Sequence, residues 1–157
     1  MEDNAFAQGK KFDIQAYMGL WYEVGKYAVP YETDCDLATA HYEFNPKDHV
    51  VNVLNICYNH GTPISSIEGV AKTTQIDGIF KIMFKGIERK SFYMVVWTDY
   101  TRFALVSGMN DSDVFWVLSR HPTISQDEIN QLTALTIRYG FNPNRVEINT
   151  AFKYQAI

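Results

Sequence analysis

Met18-Gly19-Leu20-Trp21-Tyr22-Glu23-Val24 is the stretch whose reading decides the fold. It lies where a turn over residues 12–17 runs into an extended aromatic segment. Gly19 lets the backbone turn tightly because no Cβ stands in the way, and Trp21, two residues on, can lie across the floor of a barrel. Taken alone, a Gly-x-Trp triplet also describes an ordinary core tryptophan at the start of a strand. Two further segments give it meaning. Thr98-Asp99-Tyr100 stands between two strand-like runs in mid-chain, and Arg120 closes the run Val114-Phe115-Trp116-Val117-Leu118-Ser119.

Working outward from that stretch, short runs of strand-forming residues recur at 21–27, 37–44, 50–58, 64–73, 79–84, 92–98, 102–107 and 114–119. Turn residues punctuate them: Asn45-Pro46-Lys47-Asp48 reads as a hairpin, and Asp77-Gly78 and Gly108-Met109-Asn110-Asp111 as further turns. After Pro122 the period changes. Ser125-Gln126-Asp127-Glu128 is a capping box, Ile129, Leu132, Leu135 or Thr136, and Tyr139 recur at helical spacing, and Gly140 suits a left-handed helix end. A last short strand is expected at 146–150. One apolar stripe means one packed face. The pattern predicts an all-β protein: an eight-stranded antiparallel up-and-down barrel with one C-terminal α-helix outside it.

Composition agrees. A chain of 157 residues fits one domain with a core of its own, and its 10 Tyr and 10 Phe favour pleated sheet. The net charge is -4 and the cationic residues are scattered, so the chain lacks the basic footprint of a nucleic-acid binder. Its longest apolar run, 92–97, is a strand's length, far short of the ~20 residues that span a bilayer as a helix. Met1 to Phe6 is acidic and carries no secretory pattern, which leaves the compartment open between an intracellular protein and a processed mature form.

Gly19-Leu20-Trp21, Thr98-Asp99-Tyr100 and Arg120, in that order, resemble the three signature segments of the lipocalin family, and the resemblance covers about residues 12–151 of a single domain over 1–157. Ala40-His41-Tyr42, Val51-Asn52-Val53-Leu54-Asn55, Glu68-Gly69-Val70-Ala71 and the segment Trp116 to Ser125 are similar to the branch holding apolipoprotein D, bacterial outer-membrane lipocalins and plant temperature-induced lipocalins. The resemblance implies that Arg120 stacks on Trp21 at the barrel floor, a structural contact contributing roughly 0.5–2 kcal/mol. Asp99 is implied to be a turn residue at the closed end.

Successive side chains of a strand face opposite sides, so the aligned positions give a candidate lumen. Ala40, Tyr42 and Phe44 point inward on one strand and Val51, Val53, Asn55 and Cys57 on the next, followed by Val70, Phe84, Met94, Val96 and Trp116. Tyr42, Asn55 and Glu23 are the polar points that could orient a head group. A register slip of one residue would reverse any strand's assignment.

Catalytic groupings are thin. His41, His49, His60 and His121 have no metal-ligand spacing, and no serine sits in a nucleophile motif. Cys57 is the one nucleophile candidate. The hairpin between them brings Cys35 and Cys57 to the same rim, where a disulfide, two reduced thiols, or a reactive Cys57 are all open; a bridge would depart from apolipoprotein D, which ties the corresponding cysteine to its C-terminal tail. The resemblance therefore implies a non-enzymatic carrier of a fatty acid, lysophospholipid or related lipid, without cofactor or metal, monomeric or weakly dimeric, with peripheral membrane contact as an option. Its rivals are a thiol enzyme of the prostaglandin D synthase kind using Cys57, and a tetrapyrrole or haem carrier. The latter would want an inward His near the rim, whereas His41 has outward parity.

Overall fold

A computed structural model describes residues 11–27, 35–108 and 111–148, the side chains of 111–113 excepted. A one-turn helix, α1 (Ile14–Tyr17), leads into β1 (Gly19–Tyr27), followed by β2 (Leu37–Asn45), β3 (Val50–Asn59), β4 (Thr62–Thr73), β5 (Ile79–Phe84), β6 (Ser91–Thr98), β7 (Phe103–Gly108) and β8 (Asp111–Ser119). The helix α2 (Gln126–Arg138), a 3₁₀ turn (Pro143–Arg145) and β9 (Val146–Ile148) complete the described chain. The last expected strand thus begins where the sequence put it, while residues 149 and 150 lie outside the described residues.

From β1 to β8 each strand pairs antiparallel with the next, β1 meeting β2 through Gly19↔Tyr42 and Trp21↔Ala40, and β8 closes the ring by pairing with β1. Closure leaves no free edge among the eight. The upper half of β1 diverges from β2 and takes β9 instead, with Gly25 opposite Ile148. A Cβ at Gly25 would lie 3.2 Å from Val146, so this glycine lets β9 pack close.

The pleat divides the apolar residues into two cores. Trp21, Tyr42, Val53, Ile82, Val106 and Leu118 face into the barrel. Val24, Tyr27, Val96, Leu105, Phe115 and Val117 face outward beneath Leu132 of α2 and Phe141. Between them, β7 is covered on both sides and reads as the unbroken run Phe103-Ala104-Leu105-Val106.

The capping box is present: Ser125 accepts from the Glu128 backbone N–H, and Glu128 accepts from that of Ser125. At its other end α2 closes with a Schellman arrangement, Gly140 N–H donating to Ile137 and Phe141 N–H to Thr136, with Gly140 at φ 89°. Glu128 does more than cap. Arg102 donates to both of its carboxylate oxygens, at 2.7 and 2.8 Å, and to Ser119 Oγ, at 2.8 Å. Burial alone would raise the Glu128 carboxyl, but the hydrogen bonds and charge of Arg102 hold it below its ordinary range and fasten the helix to the barrel.

At the closed end the Arg120 guanidinium lies over the Trp21 indole and donates to the carbonyls of Tyr100, Leu20 and Ala16, each at 3.0 Å. Gly19 stands at φ 102°, and a Cβ there would come within 3.3 Å of the guanidinium. Asp99 accepts from the backbone N–H of Arg102 and Phe103, and Thr98 Oγ1 donates to the Phe103 carbonyl, which makes Thr98-Asp99-Tyr100 a closed-end turn.

Candidate functional site

The lumen holds a cavity of about 280 Å³. Glu23, Ala40, Tyr42, Val53, Asn55, Phe84 and Trp116, all expected from alternation, line it. Ala38, Ile82, Phe92, Tyr93, Val106 and Leu118 line it too and were not expected. Beneath it a smaller void, bounded by Tyr17, Val51, Ala71 and Phe80, reaches the floor. Phe44 is half-buried against this closed-end core instead of bordering the main cavity.

Three positions expected inside face outward. On β6 it is Tyr93 and Val95 that join the lumen core, whereas Met94 and Val96 belong to the outer core with Leu132 of α2. Both faces of β6 are apolar, so its residue types carry no parity signal, and a bulge between Val95 and Trp97 shifts the register further along. On β4, Val51 pairs with Ala71 and Val53 with Gly69, which turns Val70 outward into a concavity with the exposed side chains His41, Glu43 and Glu68. The two small residues are the inward ones, and their size helps to leave the lumen empty. A Cβ at Gly69 would come within 2.8 Å of the Phe84 ring, so a glycine there lets that ring lie against the wall.

A row of three tyrosines crosses the boundary between the cavity and the floor. The Tyr93 hydroxyl is 2.6 Å from that of Tyr17 and 3.0 Å from that of Tyr42. Burial pushes all three phenols up, so they stay protonated. Three hydroxyl protons serve two mutual bonds, which leaves one O–H available as a donor. The separation of Tyr17, Tyr42 and Tyr93 along the chain hid this row from sequence reading.

Glu23 enters the cavity from β1 opposite Leu118. Burial raises its carboxyl above the ordinary range, an effect that Lys26 opposes. At the rim, Ala38 pairs with Cys57, giving Cys57 the inward parity expected. Cys35 and Cys57 form a disulfide. His41 is exposed on the outer wall, as its parity required.

A closed eight-stranded barrel with an outer helix, a stacked Trp–Arg floor and an apolar lumen defines a lipocalin-type binding protein. The family described as Lipocalin-like domain matches residues 12–151, and this chain belongs to the lipocalin family. It is 33% identical over 138 residues to the outer membrane lipoprotein Blc of Citrobacter freundii, covering 86% of this chain and 77% of that protein. It is 26% identical over 147 residues to apolipoprotein D of Rattus norvegicus, covering 88% of this chain and 74% of that protein. In fold it is similar to lobster apocrustacyanin A1, with TM-score 0.68 at 13% identity, covering 87% of this chain and 78% of that one. Lipocalins bind small hydrophobic ligands in such a barrel, and that is the class of ligand here.

Proposed function

We propose that this lipocalin carries a single-chain lipid, a fatty acid or lysophospholipid, with the tail in the lumen, and performs no chemistry on it. The observation that carries the reading is the cavity wall: five aromatic rings (Tyr42, Phe84, Phe92, Tyr93 and Trp116) and several aliphatic side chains surround few polar groups. Burying an alkyl tail there contributes about 25 cal/mol per Å² of apolar surface, against several kcal/mol lost on association, which supports micromolar binding. The thiol-enzyme alternative requires a free thiolate, whereas Cys57 is paired with Cys35 in a disulfide. Peripheral contact with a membrane would suit loading of such a ligand and belongs to the same proposal.

Trp116 reports on the cavity. Titration with a long-chain fatty acid or a lysophospholipid is expected to change its fluorescence saturably, and Trp116→Ala to weaken the response. A folded protein that shows no saturable change with either lipid class removes the reading.

A further inference from the structure

Among the described residues that line the lumen Glu23 is the one charged side chain, and none of them is basic. Among the described residues no donor hydrogen-bonds its carboxyl, and Lys26 acts on it without forming an ion pair. A carboxyl placed so among apolar walls lacks the partner that buried polar groups ordinarily have. Tyr42, Tyr93, Phe92 and Trp116 line the same cavity. Aromatic π-faces attract cations, and a carboxylate beside them completes a site for an organic ammonium group. An anionic head group has the opposite fit, since it meets a potential negative charge and no cation on the wall.

We propose that Glu23 determines the head-group class of the ligand: the lumen selects a single-chain amphiphile bearing an ammonium group, which rests on the Glu23 carboxylate and the surrounding rings. This rests on the carrier reading and narrows it. An ammonium group favours the ionised form of this carboxyl, so the bound pair is a charge-assisted hydrogen bond within an apolar wall.

The test compares three ligands of equal chain length, dodecylammonium, dodecanol and dodecanoate, by Trp fluorescence and calorimetry at near-neutral pH, on wild type and Glu23→Gln. The expected ranking in wild type places dodecylammonium about tenfold or more tighter than dodecanoate, and Glu23→Gln is expected to shrink that ratio to about threefold or less. Dodecanol is the uncharged reference for tail burial. If dodecanoate binds wild type as tightly as dodecylammonium, or if the ammonium preference survives Glu23→Gln, the inference is overturned while dodecanol binding keeps the carrier reading standing. If none of the three binds, the carrier reading falls and takes this one with it. The wild-type ranking decides the matter by itself should Glu23→Gln fold poorly.

Discussion

The Arg120 guanidinium carbon sits 3.7 Å from the centroid of the Trp21 ring, and Trp21 Nε1 donates to the Tyr17 carbonyl at 2.9 Å. One cation thus stacks on the first strand while its donors tie down the carbonyls of Ala16, Leu20 and Tyr100. The contact joins α1, β1, the β6–β7 turn and the end of β8 into a single floor. Trp21→Ala is expected to cost about 3–5 kcal/mol. Arg120→Lys keeps the charge but loses the planar, forked donor set, and a smaller loss of about 1–2 kcal/mol is expected. Chemical denaturation of both variants measures it, and a Trp21→Ala protein as stable as wild type would contradict a load on this contact.

Met94 and Trp116 should separate stability from binding. Met94 packs under α2 in the outer core, so Met94→Ala is expected to lower stability by about 2–5 kcal/mol and leave lipid affinity nearly unchanged. Trp116 lines the cavity and is partly exposed, so Trp116→Ala should weaken lipid binding with a modest effect on stability. Thermal melts and calorimetric titration of the two proteins read both quantities. The reverse pattern would place Met94 inside the lumen.

Glu23 makes stability depend on pH in a definite direction. Burial raises its folded-state carboxyl above the unfolded value, so the folded protein keeps this proton to a higher pH. Its contribution is therefore most favourable at low pH and declines as pH rises through the ordinary carboxylate range toward the raised folded value. Glu128, held below its ordinary range, has the opposite sign and is untouched by the substitution. The groups that act on Glu23 electrostatically are Lys26 and Tyr42, with Glu147 paired across from Lys26, and Tyr93 lines the same cavity; the two tyrosines stay neutral over this window. Glu23→Gln should thus raise the melting temperature of the ligand-free protein at neutral pH, by about 2–4 °C for each kcal/mol in a chain of this size, with little change at acidic pH. Melts across pH 4 to 8, about the range over which carboxylates and their raised counterparts titrate, would show a constant difference if Glu23 were solvated.

The Cys35–Cys57 bridge spans 22 residues, and a loop of that length is stabilised by about 3 kcal/mol when closed. Reduction, or Cys57→Ser, is expected to lower stability by an amount of that order and to leave lipid affinity within about twofold, because the cavity wall is unchanged. Denaturant unfolding with and without reductant checks the first, and titration of Cys57→Ser the second. Turnover of a bound lipid peroxide that vanishes in Cys57→Ser would make this a thiol enzyme instead.

The sequence by itself determined the order of the strands and the helix caps, because each depends on chemistry that is local, while the closed barrel and its Trp21–Arg120 floor were legible through the resemblance of its signature segments to the lipocalin family. Gly19 and Trp21 are two residues apart, Ser125 and Glu128 three, and β2 alternates visibly, with His41 and Glu43 exposed and Ala40 and Tyr42 inward. Alternation names a face only where one side is polar. Tertiary packing decided the rest. Beneath α2, β6 is apolar on both sides, so Tyr93 and Met94 exchanged places relative to expectation. On β4 the inward residues are the small Gly69 and Ala71, because emptiness is what the lumen requires of them. The three tyrosine hydroxyls meet only once α1, β2 and β6 have closed around one space, and Glu23 has a raised carboxyl only because the closed barrel takes it out of bulk solvent.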